Sequence, residues 1–243
     1  MATIPTDFLF RFRFSCRRWE KASPGATIPE TLDASFRVPL WFQIARSNFW
    51  DARTNESSET VGDAVKSESL FDFRLGWSHR GLVFTTVVSG KRNQPYWTHS
   101  SLNEADSVRF CVDTRDLRDS HRGNRFCHKF AFYPFIGESE EVARPLAQWL
   151  PINRAREIPT CVDVDSFVMR SERRSDGYAF SVFIPASSLN GFDPESFDRL
   201  GMHYTVADSE YGMFTLQHGA PLPYEDDPSL WSSFVMLGAA RDP

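Results

Sequence analysis

The sequence predicts an all-β protein, an antiparallel β-sandwich of jelly-roll type with long irregular loops. Three observations carry that expectation. Apolar residues alternate with other residues at Phe8, Phe10, Phe12 and Phe14, and alternating runs recur along the chain. A period of two is the repeat of a strand with one buried face. Phenylalanine is in excess, 22 residues in 243, and it suits a half-buried pleated surface better than a helix. No segment sustains a helical period, while turn residues punctuate the short apolar runs.

The elements follow in order. A first strand is expected over 8–14, where Leu9, Arg11 and Arg13 interleave the phenylalanines. A Pro/Gly/Ser region occupies 23–29, and PLWFQIA (39–45) reads as a short strand. The polar stretch 52–70 reads as an exposed loop. FDFRLGW (71–77) and LVFTTVVSG (82–90) form a hairpin across the HRG turn, and KRNQPYWTHSS (91–101) is a polar loop. SVRFCVD (107–113) and RFCHKFAFY (125–133) are the next strands. The segment 135–166 reads as long and irregular, with a turn of helix near 141–149. Residues 167–185 form a hairpin turning at Ser175, Asp176 and Gly177. The connector 187–201 carries turn chemistry at Asn190-Gly191 and Asp193-Pro194. Runs at 202–210, 213–217 and 231–237 complete the sheets. With no internal repeat and no linker, one sandwich domain over 1–243 is expected.

Bulk properties narrow the function. The net charge is −5, which argues against a nucleic-acid binder that must neutralise phosphates over a basic surface. No apolar run approaches a membrane span. MATIPTDFLFRFRFSC lacks the basic region and apolar core of a signal peptide, so a cytoplasmic setting is expected. Cys16, Cys111, Cys127 and Cys161 show neither a CxxC pair nor scaffold spacing, and in a reducing compartment they are expected to stay free.

One order of pieces is distinctive: Gly76-Trp77 before a short turn, a strand ending in Lys91, DSVRFCVDTRD, GYAFSVFIPASSLNGFDP, RLGMHYTVADSEYG and the closing DPSLW. Together, over roughly 70–237, they resemble the type 9 carbohydrate-binding-module-like domain of the DOMON-like superfamily. The resemblance implies a jelly-roll sandwich and a non-catalytic sugar binder. Such modules hold a saccharide between aromatic rings while polar side chains grip its hydroxyls. Many are secreted and attached to glycoside hydrolases, and some hold structural calcium.

The residues themselves suggest where a ligand sits. Asp113, Arg115, Asp116, Arg118, His121, Arg122, Arg125 and His128 crowd one loop and its flanks. Arginine presents a planar fork of donors that matches carboxylates, phosphates or vicinal hydroxyls. The competing reading is an ion-pair network that pins the loop. Strand parity puts His128 on one face with Phe126, Phe130 and Phe132, as a core histidine. The 91–98 loop supplies Arg92, Asn93, Tyr96 and Trp97, and an exposed ring there would stack on a pyranose. Trp50 is a weaker candidate ring, whereas Trp77 and Trp231 read as core. Arg154 and Arg156, two apart, share a face of an extended segment and extend the same pocket if 135–166 folds back.

No cofactor is predicted. His121, Cys127 and His128 fit no zinc spacing. Asp163/Asp165 and Asp226/Asp227 lack the ligand spacing of a calcium loop and read as solvated turns. No nucleophile elbow and no phosphate loop appear. The leading expectation is a non-catalytic module for a saccharide or related polar ligand. The alternatives are a structural or protein-interaction sandwich, and a sugar-active hydrolase, for which Asp113 and Asp208 are the carboxylate pair to measure.

Overall fold

The computed structural model describes residues 12–20, 28–38, 42–44, 70–93, 95, 100, 102, 104–139, 141–216 and 223–239. Among them the strands are β1 (Arg13–Arg18), β2 (Phe42–Ile44), β3 (Phe71–Ser78), β4 (Gly81–Val88), β5 (Ser107–Asp113), β6 (Cys127–Ile136), β7 (Arg144–Trp149), β8 (Val168–Arg174), β9 (Gly177–Pro185), β10 (Arg199–Asp208), β11 (Gly212–Thr215) and β12 (Ser232–Met236). The hydrogen-bonded order is β7-β6-β5-β10-β12-β1-β3-β4-β9-β8, with β11 on β10 and β2 on β11.

The chain forms two layers joined through β1. Residues 13–16 of β1 pair with β12, and residues 17–18 pair with β3. Both pairings are parallel, a departure from the all-antiparallel arrangement the sequence predicts. The remaining pairings between strands are antiparallel.

Phenylalanine fills the space between the layers. Phe84 of β4 meets Phe110 of β5 at 5.5 Å and Phe132 of β6 at 5.2 Å between ring centroids. Phe73 stacks on Tyr204 at 4.2 Å. Such ring pairs add about 0.5–1.5 kcal/mol each beyond the area they bury. The excess of phenylalanine is thus the sandwich interior. Trp77 and Trp231 are also fully buried, as expected.

Two boundaries differ from the sequence reading. The segment 141–149, expected to hold a helical turn, contributes edge strand β7. Ala147 turns to the main core while Leu146 packs on the outer cluster, the alternation of a strand. Pro145 is tolerated there because an edge strand need not donate on both sides. The first strand is described only from Arg13 onward, so the expected Phe8 and Phe10 positions lie outside the described residues, as does the 52–69 stretch. The β8–β9 turn falls where Asp176-Gly177 predicts it: a Cβ on Gly177, at φ 156°, would lie 1.9 Å from the Val88 carbonyl oxygen.

Candidate ligand-binding site

Strand direction sorts the candidate residues between two opposite ends of the sandwich. β5 runs antiparallel to β10, with Asp113 opposite Gly201 and Ser107 opposite Ala207. Asp208 therefore lies seven residues along β10 from the level of Asp113, roughly 23 Å at the rise of a strand. Two glycosidase carboxylates sit within about 10 Å of each other. Asp113 and Asp208 do not face one another across a cleft. The single rim expected from the sequence is likewise split: Arg92 and Asn93 accompany Asp208, while Asp113, Arg115, His121, Arg122, Arg154 and Arg156 belong to the other end.

At the Asp208 end the charges turn inward. The Lys91 ammonium lies 2.6 Å from Asp208 Oδ2 and 3.0 Å from Asp106 Oδ2, and none of the three side chains exceeds 1% exposure. Asp208 Oδ1 accepts the amides of Glu210 and Tyr211, closing the turn after β10. Asp106 Oδ1 accepts the Ser209 amide at 2.7 Å. Burial opposes the charge on Lys91, but the two carboxylates outweigh it and raise its pKa. Burial, then the charge of Asp208, push the Asp106 carboxyl up. The Glu210 carboxylate accepts the amides of Arg92 and Asn93 and so fixes the start of the next loop. Tyr96 and Trp97 in that loop, and Trp50, lie outside the described residues.

At the opposite end a braced inner layer carries an open outer one. Asp113, at the close of β5, accepts the amides of Arg115 at 2.9 Å and Leu117 at 2.7 Å. Burial nevertheless pushes its carboxyl up to about 6. The Arg115 guanidinium lies 3.6 Å from the centre of the Phe197 ring and 4.9 Å from Phe126. Asp116 accepts from the Ser233 hydroxyl and pairs with Arg118, which donates to the Trp231 carbonyl. His128 is buried, as its parity predicts; its Nε2 accepts the Asn190 amide at 3.0 Å. Burial drives its pKa down to about 4. Asp113, Arg115, Asp116, Arg118 and His128 thus brace the end of the sandwich.

Outside this layer two loops are laid side by side. Arg156 N donates to the Gly123 carbonyl at 2.7 Å, and Arg122 Nε donates to the Arg154 carbonyl at 2.7 Å. Gly123 permits this approach: a Cβ there would lie 3.0 Å from Ile152 Cγ2. Arg154 adopts φ 58°, a left-handed conformation uncommon outside glycine. The side chains of Arg122, Arg125, Arg154 and Arg156 are exposed. Arg125 approaches Glu157 at 3.8 Å, with both side chains mostly in solvent. His121 is 79% exposed, and its Nδ1 lies 3.0 Å from Asp227 Oδ2.

Beneath the loops lies a small hollow of about 10 Å³, room for about one water molecule, lined by Trp149, Cys127, Ile152, Ala155, Glu157 and Ile158 among others. The Trp149 indole N–H is buried without a hydrogen-bond partner, while Ile158 is 61% exposed. Trp149 and Ile158 were not among the residues the sequence singled out. The signal for Trp149 was the alternation Ala147-Gln148-Trp149, hidden when 141–149 is read as helical.

The acidic pairs do more than cap solvated turns. Asp226 accepts from Lys129 Nζ at 2.9 Å and from the Asn153 amide at 3.0 Å. Asp227 caps the 3₁₀ turn Pro228–Leu230. Asp163 caps the turn Val164–Ser166. Cys127 and His128 point to opposite faces of β6, Cys127 joining an outer cluster with Cys111, Ile152 and Trp231. The four cysteines are free. No helix among the described residues is long and apolar enough to cross a membrane.

No family model matches the chain, and no curated protein matches it. Its likeness to solved structures is one of fold. A family 9 carbohydrate-binding module from Caldicellulosiruptor kristjanssonii in complex with cellotriose aligns over 93% of this chain and 93% of its own, at 14% identity and a TM-score of 0.54. A family 9 module from the same organism in complex with glucose aligns over 96% of this chain and 98% of its own, at 15% identity and a TM-score of 0.53. The chain shares their β-sandwich fold over nearly its whole length.

Proposed function

We propose that this protein is a non-catalytic saccharide-binding module whose ligand sits on the end formed by 120–126 and 149–159. The observation that carries this reading is the half-buried Trp149 beside two loops whose Arg122, Arg125, Arg154, Arg156 and Glu157 are exposed. An indole offers an apolar face to the C–H face of a pyranose. The guanidinium forks offer donors to ring substituents. Arg115, Asp113 and His121 act behind this rim, holding the loops that present it. The fold neighbours in complex with cellotriose and glucose support a sugar as the class of ligand. The roughly 23 Å between the levels of Asp113 and Asp208 counts against a hydrolase built on that pair.

Isothermal calorimetry with cello-oligosaccharides and acidic oligosaccharides tests the reading. Trp149→Phe is expected to weaken binding by about tenfold, the loss of one good stacking partner. Absence of binding to any saccharide would sink the proposal. Loss of binding in Trp97→Ala with Trp149→Phe unaffected would move the site to the Arg92, Asn93, Tyr96 and Trp97 loop. A protein-interaction domain is the second reading. It is favoured by strand β8, which among the described residues pairs with β9 alone and leaves Val168 half exposed.

A further inference from the structure

We infer that the ligand at this end is an acidic saccharide, a sugar chain bearing carboxylates, rather than a neutral glucan. The inference rests on the saccharide-binding reading and adds the chemical class. It starts from a local imbalance. The segments 120–126 and 152–159 carry four arginines and one glutamate, in a chain whose net charge is −5.

Several basic side chains elsewhere are matched by acids: Lys91 by Asp106 and Asp208, Lys129 by Glu225 and Asp226, Arg37 and Arg74 by Asp72, Arg174 by Glu30. Arg122, Arg154 and Arg156 have no carboxylate within 4.0 Å among the described residues, and Arg125 has only Glu157 at 3.8 Å. Three arginines with no carboxylate within 4.0 Å among the described residues, and Arg125 beside Glu157, therefore stand on two adjoining loops.

The backbone that presents them is held firmly. Asn153 N donates to Asp226, Ala155 N to the Ile152 carbonyl and Arg156 N to the Gly123 carbonyl. Arg154 is kept in its left-handed conformation between these bonds, with its own carbonyl taken by Arg122. A non-glycine residue persists in that region when its surroundings over-determine it. Such a rim gives up little conformational freedom on binding.

Chemistry then separates the sugar classes. A hydroxyl both donates and accepts, so a neutral sugar is best met by a mixture of donors and acceptors. The charged groups of this rim are donors but for one: four guanidinium forks, with Glu157 the one carboxylate. A hexuronate presents the converse, an acceptor-only carboxylate that an arginine fork grips with two bonds. Its pyranose ring still offers a C–H face to Trp149.

The test is calorimetric titration of the full chain with trigalacturonate and with cellotriose, at low and at physiological ionic strength. Inorganic phosphate and a short single-stranded DNA are the anion controls. The acidic trisaccharide is expected to bind at least about tenfold more tightly than cellotriose, the worth of one charge-assisted hydrogen bond, and to weaken with salt. The double variant Arg154→Gln/Arg156→Gln should lose that advantage and bind the two sugars within about twofold of each other. Its thermal midpoint reports that it folds. Equal affinity for the two sugars, or an acidic preference that survives the double variant, overturns the inference while leaving saccharide binding intact. Failure of both sugars to bind overturns both readings. Phosphate or DNA binding as tightly as trigalacturonate identifies a general anion surface and also overturns it.

Discussion

The Lys91 end and the Arg154 end of the sandwich are built from the same kinds of side chain and treat them in opposite ways. At the first, one ammonium and two carboxylates are withdrawn from water and satisfied by one another and by turn amides. At the second, Arg122 donates through Nε to the Arg154 carbonyl, Arg125 lies 3.8 Å from Glu157, and Arg122, Arg125, Arg154 and Arg156 are exposed. Charge that is closed on itself stabilises a fold; charge that is left open is available to a visitor. Residue type alone does not distinguish them, because both ends read as polar loops beside strands.

The strongest way to break this comparison is Lys91→Met. Removing the cation strands two buried carboxylates, and stability at neutral pH should fall by about 3–5 kcal/mol in urea denaturation. The deficit should shrink as pH falls, because burial already favours the neutral form of Asp106 and protonation removes the stranded charge. A loss below about 1 kcal/mol would mean that the triad is not closed.

A second test concerns the inner layer of the open end. Burial raises Asp113 to about 6 and lowers His128 to about 4. The raised Asp113 contributes stability that is complete below its unfolded pKa and lost as pH rises through about 6. The lowered His128 contributes stability present above its unfolded pKa and lost as pH falls toward about 4. Between pH 4 and 6 the two oppose each other, one holding a proton and the other refusing one. Asp113→Asn removes the first, so acidification over that window should destabilise the variant by about 1.4 kcal/mol per pH unit more than the parent. Equal slopes would show that Asp113 is already ionised there.

The smallest effect is expected where the comparison is sharpest. Arg154→Gln/Arg156→Gln should change unfolding free energy by less than about 0.5 kcal/mol, read from denaturation midpoints without ligand. A larger loss would show that the rim is structural, and the two ends would then be alike.

Much of the fold was legible because strands leave a period of two. The runs 107–113, 202–210 and 231–237 coincide closely with β5, β10 and β12, and parity alone placed His128 in the core. The Asp176-Gly177 turn was readable because only glycine fits against the Val88 carbonyl. The candidate site was less legible, and the reason is topological. Asp113 and Asp208 are each the last residue of a strand, and no local pattern says that β5 and β10 run in opposite directions. That pairing sends the two aspartates, and the loops with them, to different ends. Trp149 was hidden for a simpler reason: 141–149 looks irregular until β6 supplies an edge for it to join.

The placement of β1 has a consequence for how the molecule comes to be made. Its first half lies beside β12 and its second beside β3, so the seam between the layers brings Arg13 next to Ser233. A nascent chain has no neighbour for that half until β12 has left the ribosome. Until then the flanks of β10 and β3 stay bare, and contacts of such long sequence separation form slowly. Completion of the sandwich therefore waits on β12, and a chain that stops short of β12 has an unsealed side.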